Sequence, residues 1–298
     1  MNKAEYNALM MSSIKSLDTE EKVDLAIFRP LGLRIALLAK RLGITPNVIT
    51  IVSVFAGVAA GHLFYYDDIL INILGILCLS LGSTLDSADG QLARMTGQCS
   101  EFGRILDGVA GYLWFVSIYL HLILRFYPEF GLPMVAGIVL GVLSHSYQSG
   151  VADYYRNAHL TIVFGKGELS DTDELKKNSA DEKSAFSRFV SKIYIAYTEI
   201  QQGRTKNFRA LWRFLRSNPE IASYSETKAK FRRFSLPLQK YCNGMTLNSR
   251  FFAIYFALIL NNIWVYIVYE VIVLNFVVAY TIHMHERGSK NLLDELQA

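Results

Sequence analysis

At 298 residues, with 52% hydrophobic and only 19% charged residues and a mean hydropathy of +0.24, the composition argues against a soluble chain. The net charge of +4 and pI of about 8.8 do not single out nucleic acid, because the basic residues lie in polar segments flanking apolar spans, where anionic lipid is the simpler partner. Three cysteines, Cys78, Cys99 and Cys242, form no CxxC pair, which excludes a disulfide framework or a cysteine-built zinc site.

The first two dozen residues are mixed polar, with Glu5, Asp18, Glu20 and Glu21, and lack the basic start and apolar core of a cleaved signal. The N-terminus is therefore expected to stay in the cytoplasm. Residues 28–43 mix Leu31, Leu33, Ile35, Leu37, Leu38 and Leu42 with Arg29, Arg34, Lys40 and Arg41, too short and basic to span a bilayer. That pattern predicts a helix lying at the interface. Thr45 and Pro46 then open a first span, as N-cap and first helical residue, over Val48 to Tyr66. After a turn at Asp67 and Asp68, a second span runs from Ile69 through Leu85. A polar loop, Met95 to Phe102, leads to a third span from Gly103 to Leu124; a turn with Pro128 and Pro133 precedes a fourth, Met134 to Tyr155.

Residues 157–248 form a polar insert with 16 of the 30 basic residues and 9 acids. Phe186, Phe189, Val190, Ile193, Tyr197 and Ile200 recur at helical spacing, as do Phe208, Leu211, Trp212 and Leu215, predicting amphipathic helices in a cytoplasmic cap. Residues 251–286 are apolar again. Glu270 near the middle suggests a turn at 267–271, making two spans, with Asn261 and Asn262 inside the fifth. The expected organisation is an all-α integral membrane protein with six transmembrane helices: an N-terminus and interfacial helix (1–44), spans 1–4 (45–156), a basic helical insert (157–248), and spans 5–6 with a tail (249–298). Lys and Arg avoid the turns at 66–69, 127–133 and 267–271 and crowd the other connections, Arg125 excepted. The positive-inside rule thus puts both termini, the motif loop and the insert in the cytoplasm, the membrane being a cell inner membrane.

The chemistry lies at the end of the second span. Asp86, Asp89, Gly90 and Ala93 share one helical stripe, followed by Arg94. Two carboxylates at a membrane helix end are costly unless paired or bound to a cation. Hard oxygen donors at this spacing suit Mg²⁺ or Mn²⁺ with open positions for phosphate. Gly90 and Ala93 leave the face bare for a nucleotide, and Arg94 offers a fork of donors. Asp107, at the start of the third span, falls opposite the pair if the two helices run antiparallel.

The run from Asp86 to Asp107 resembles the signature of the CDP-alcohol phosphotransferases, D-x2-D-G-x2-A-R-x8-G-x3-D-x3-D, with Asp86, Asp89, Gly90, Ala93, Arg94, Gly103 and Asp107 in register. The entry Thr45-Pro46-Asn47-x-x-Thr50 and the six-span layout resemble the family too; the insert does not. The resemblance implies Asp86, Asp89 and Asp107 as metal ligands for Mg²⁺ or Mn²⁺. It implies Gly90, Ala93, Arg94, Ser100, Asn47 and Thr50 around the nucleotide and phosphates. The implied reaction moves a substituted phosphoryl group from a CDP-activated lipid, CDP-diacylglycerol in the six-span branch, to an acceptor hydroxyl, releasing CMP in phospholipid biosynthesis. A homodimer among membrane lipids is implied, and no nucleic acid. The signature's last Asp, the family's base, is Gly111 here. Either a metal-bound hydroxyl needs no dedicated base or a neighbouring group such as Glu101, a candidate, serves; Arg156 is a candidate for an acceptor phosphate, though a positive-inside role explains it equally. A pseudoenzyme that binds CDP-lipid without turnover stays open, as does a cation transporter. His145 and His159 read as structural or surface residues.

Overall fold

The structure, a computed structural model, describes residues 3–14, 16–167, 169 and 203–298, apart from the side chains of Lys3, Glu101, Phe102, Arg104 and Ile105. The spacing read at Phe186 to Ile200 lies outside these residues. All regular elements among the described residues are helical. Four helical stretches are long and apolar enough to cross a membrane: Pro46–Leu63, Ile69–Thr96, Leu106–Phe164 and Trp264–Gln297. The chain divides into two units, Met1–Gly141 with Arg250–Tyr269, and Val142–Ser249 with Glu270–Ala298.

The first unit begins with α1 (Lys3–Ser13) and a π-helical turn (Asp24–Phe28), neither expected from the polar N-terminal sequence. The turn leads into α2 (Arg29–Leu42), which stops at Gly43 in the left-handed region, φ 69°. Helix α2 is amphipathic: Leu33, Ala36 and Ala39 are buried, whereas Leu31, Leu38 and Leu42 are exposed. Helix α3 (Pro46–Leu63) starts as the sequence indicates, with Thr45 extended and Pro46 first, but the Thr45 side chain makes no capping bond. Helix α4 (Ile69–Thr96) has a true side-chain cap, the Asp68 carboxylate accepting from the Leu70 and Ile71 amides at 2.8 and 3.0 Å.

These helices approach closely because their contact positions are small. Ala36, Ala39, Ile49, Leu85, Ala88 and Leu92 form the core joining α2, α3 and α4. A methyl group on Gly32 would sit 3.1 Å from the Ala88 backbone nitrogen, so α2 rests almost against the α4 main chain. Trp114 of α5 (Glu101–Phe164) fills the opposite groove; a side chain on Gly57 would meet its ring at 2.3 Å and one on Gly82 at 3.3 Å.

Helix α5 has 64 residues, far beyond the roughly 20 of one crossing. Gly131 breaks it at φ 58° and ψ −150°, between Pro128 and Pro133, where the sequence places a turn. Its second part continues to Phe164 and thus takes up the first residues assigned to the insert.

The turn expected at 267–271 lies instead before α10 (Trp264–Val268), at residues 260–263. Asn261 takes φ 47°, and the Asn262 side chain accepts from the Trp264 amide at 3.0 Å. Asparagine tolerates this backbone region and mimics a turn with its own side chain, whereas a buried acid does not force one. The two asparagines are therefore turn residues, not members of a span. Glu270 is buried within a π-helical segment, Tyr269–Val273. Elements α9 (Leu247–Ile259) and α10 (Trp264–Val268) flank the turn, and α11 (Leu274–Gln297) closes the chain.

Arg125, the exception to the charge rule, is an anchor. Its guanidinium donates to the carbonyls of Phe64 and Tyr66, to Asn72, to Asp67 at 2.8 Å and to Asn261 at 2.8 Å. One cation thus ties the α3–α4 turn to α5 and the 260–263 turn.

In the second unit, α6 (Lys206–Ser217), α7 (Pro219–Ser223) and α8 (Ser225–Gly244) pack with α11 and the end of α5. Helix α6 buries Phe208, Leu211 and Leu215, with Trp212 half-buried. It lacks an acid in its first turn. Glu286 of α11 supplies one, accepting from the Asn207 and Phe208 amides at 2.7 and 3.1 Å. His285 is buried against Tyr155, ring centroids 3.8 Å apart, and against Phe208 and Phe234.

Candidate active site

Helix α4 carries Asp86, Asp89, Gly90, Ala93 and Arg94 on its last turns, and a left-handed Gly97 at φ 70° ends it. The chain reverses over residues 97–100. The Ser100 hydroxyl accepts from the Gly103 amide at 3.0 Å, a side-chain N-cap that starts α5. With the helices antiparallel, Asp107 lands beside the α4 acids, and carboxylate oxygens of Asp86, Asp89 and Asp107 lie within 4.8 Å of one another.

The three acids span a gradient of exposure: Asp89 buried, Asp86 half-buried and Asp107 exposed. Asp89 is fixed by the Thr50 hydroxyl of α3, which donates to Asp89 Oδ2 at 2.5 Å. Thr50 thus contacts a carboxylate, where the sequence places it around the nucleotide. Asn47, one turn earlier on α3, lies at the start of α5: a methyl on Gly103 would be 3.3 Å from its Oδ1 and 3.2 Å from Ser100 Oγ. Gly103 lets these two polar groups meet. On the other side of the acids, a methyl on Gly90 would touch the Arg94 guanidinium at 3.4 Å. Ala93 is half-buried.

Other groups found here carry no clear signal in the sequence. Arg94 Nε donates to the Ser13 carbonyl of α1 at 2.6 Å. Gln91 Nε2 donates to Ser13 Oγ and to the Arg29 carbonyl, both at 3.2 Å. Arg29 in turn holds Glu20 through two bonds, at 3.0 and 3.1 Å. The N-terminal segment is therefore bonded to the motif helix. Only Gln91, a polar residue inside the motif, hints at this.

Among the described residues, nothing lies within 4 Å of where a side chain would begin at Gly111, and the same holds at Gly108. Glu101 belongs to the first turn of α5, its side chain outside the described set. Arg156 belongs to the second unit and is engaged by Asp153 at 3.3 Å and Asn243 at 3.2 Å. His159 is buried there, its Nδ1 2.8 Å from Ser235 Oγ, and His145 is half-buried on α5.

Apolar helices that end in a cluster of three carboxylates beside a bare helical face define a membrane protein with an oxygen-rich site at a helix end. Comparison with known proteins sharpens the class. The CDP-alcohol phosphatidyltransferase family matches residues 43–155, and this stretch is a CDP-alcohol phosphatidyltransferase domain. Archaetidylinositol phosphate synthase of Pyrococcus horikoshii is 40% identical over 85 residues, covering 28% of this chain and 44% of that protein. An uncharacterized protein of Aquifex aeolicus is 32% identical over 135 residues, 44% of this chain and 64% of that protein. The matched stretches thus span less than two thirds of either relative. No solved structure matches the chain.

Proposed function

We propose that the chain transfers a substituted phosphoryl group from a CDP-activated lipid, CDP-diacylglycerol or a close analogue, to an acceptor hydroxyl and releases CMP. The observation that carries this reading is the meeting of Asp86, Asp89 and Asp107 within 4.8 Å, inside a domain of the matching family. Three hard oxygen donors of graded exposure fit Mg²⁺ or Mn²⁺, which would neutralise diphosphate oxygens and ease departure of CMP. In the reaction the acceptor oxygen attacks the phosphorus that bears the lipid alcohol. The bond from that phosphorus to the CMP oxygen breaks, and the hydroxyl proton passes to solvent or a nearby acceptor. Thr50 orients Asp89. Gly90 and Ala93 admit the nucleotide against the helix, with Asn47 and Ser100 at its edge. Arg94 keeps the motif helix bound to α1.

The open space at Gly111 bears on the acceptor. It lies one turn beyond Asp107 on the same face. It supports an acceptor bulkier than a simple alcohol, a phosphorylated polyol, in keeping with the name of the Pyrococcus relative. The same glycine removes the family's usual base, which supports a second reading as a CDP-lipid-binding protein without turnover. Six crossings, a cytoplasmic site, a homodimer and a cytoplasmic basic insert complete the proposal.

The deciding experiment offers the purified chain in nanodiscs CDP-diacylglycerol, Mg²⁺ or Mn²⁺, and a panel of phosphorylated and plain polyols. CMP release that is lost in Asp86→Asn supports transfer. Nucleotide binding without release across the panel supports the second reading, and ion flux without CDP-lipid binding would restore a transporter.

A further inference from the structure

We propose that His62 and His121 form a second metal site, for a borderline transition-metal cation such as Zn²⁺, Cu²⁺ or Ni²⁺, remote from the carboxylates. His62 lies on the last turn of α3 and is exposed; His121 reaches it from α5. Thr50, which touches Asp89, sits twelve residues earlier on α3, about 18 Å along the helix axis.

With both rings neutral, the hydrogen bonds assign one proton position to each. His121 Nδ1 lies 2.7 Å from the Ser117 carbonyl, which can only accept, so Nδ1 carries the proton and Nε2 a lone pair. His62 Nδ1, 3.2 Å from that Nε2, therefore donates to it. The remaining His62 Nε2 accepts from the Tyr66 hydroxyl at 3.4 Å.

This geometry is close to that of a bound metal. Two nitrogens at about 2.0–2.1 Å from a tetrahedral ion lie roughly 3.3–3.4 Å apart. The observed separation is 3.2 Å, and each ring would turn by roughly 35° for both lone pairs to meet at one tetrahedral ion. An imidazole whose far N–H is held by a backbone carbonyl is the usual preparation of a metal ligand, and His121 has it already. His62 becomes a ligand by moving its proton from Nδ1 to Nε2, where the Tyr66 oxygen turns from donor to acceptor. No net proton is released, and no buried charge is created. Exposure of His62 leaves the other positions to water. Imidazoles favour borderline cations and oxygens favour hard ones, so the two sites draw on different metals.

The test uses the full chain in nanodiscs, stripped of metal and saturated with Mg²⁺, titrated with Zn²⁺ in a calorimeter. One equivalent is expected, weakened about tenfold or more by His62→Ala and by His121→Ala, and retained in Asp86→Asn. Cu²⁺ bound to the unaltered protein should give an electron paramagnetic resonance spectrum with splitting from two imidazole nitrogens. Absence of stoichiometric Zn²⁺ binding overturns the proposal, as does binding that survives both histidine substitutions or disappears in Asp86→Asn. Should His121→Ala not fold, the exposed His62→Ala decides alone.

Discussion

Replacing Thr50 by valine keeps the shape of the side chain and removes only its hydroxyl. Both partners are buried, Thr50 at 3% and Asp89 at 6% exposure, and their bond is 2.5 Å long. Hydrogen bonds to charged groups are worth about 1.5–3 kcal/mol, which corresponds to roughly 10- to 150-fold in a binding constant. Lost orientation of one of three ligands should therefore weaken Mn²⁺ binding by a factor in that range. The assay is a titration of free Mn²⁺ by electron paramagnetic resonance, with protein in nanodiscs and thermal unfolding followed in parallel. Thr50→Ser restores the donor and should recover most of the affinity. An unchanged Mn²⁺ affinity in a folded Thr50→Val protein would refute the idea that this hydroxyl fixes a metal-binding carboxylate.

Gly57→Ala places a methyl 2.3 Å from the Trp114 ring and should cost about 1–3 kcal/mol or more of stability. Gly108→Ala meets open space and should leave thermal unfolding of the protein in nanodiscs nearly unchanged. Gly111→Asp should also fold normally and, by adding a carboxylate one turn from Asp107, tighten Mn²⁺ binding by roughly tenfold; weaker binding would place position 111 away from the cation. Exposed Cys99 should react at once with a maleimide at pH 8, and if the motif loop is cytoplasmic a membrane-impermeant reagent should reach it only from that side. Cys242 should stay unlabelled, because burial pushes its thiol up to about 12. Its thiolate fraction at pH 8 is then roughly one in ten thousand, and reactivity rises only as the pH approaches that value.

The acidic constellation was legible because its order is local. Asp86, Asp89 and the small residues share a helical face, and a short reversal brings in Asp107. The first three apolar runs were legible for the same reason. What could not be read depends on contacts distant in sequence. Arg94 binds the Ser13 carbonyl through Nε across 81 positions, a partner that local spacing does not reveal. Thr50 donates to Asp89 across 39 positions, which its own local motif does not show. The last turn sits away from Glu270 because the chain follows the turn preference of Asn261 and Asn262, whereas the acid is accommodated inside a helix.

Trp114 has a mechanical consequence for the carboxylates. Its ring lies against the bare backbone at Gly57 and Gly82, so α3, α4 and α5 cannot slide past one another without expelling an indole. The three acids ride on two of these helices, and Thr50 rides on the third. Elsewhere in the unit, α1 and the segment before α2 are held to the motif helix by polar bonds through Ser13, Gln91, Arg94, Arg29 and Glu20. Hydrogen exchange should divide the unit accordingly, slow along the indole-wedged helices and faster over α1 and the π-helical turn before α2, which polar bonds rather than an apolar wedge hold to the motif helix.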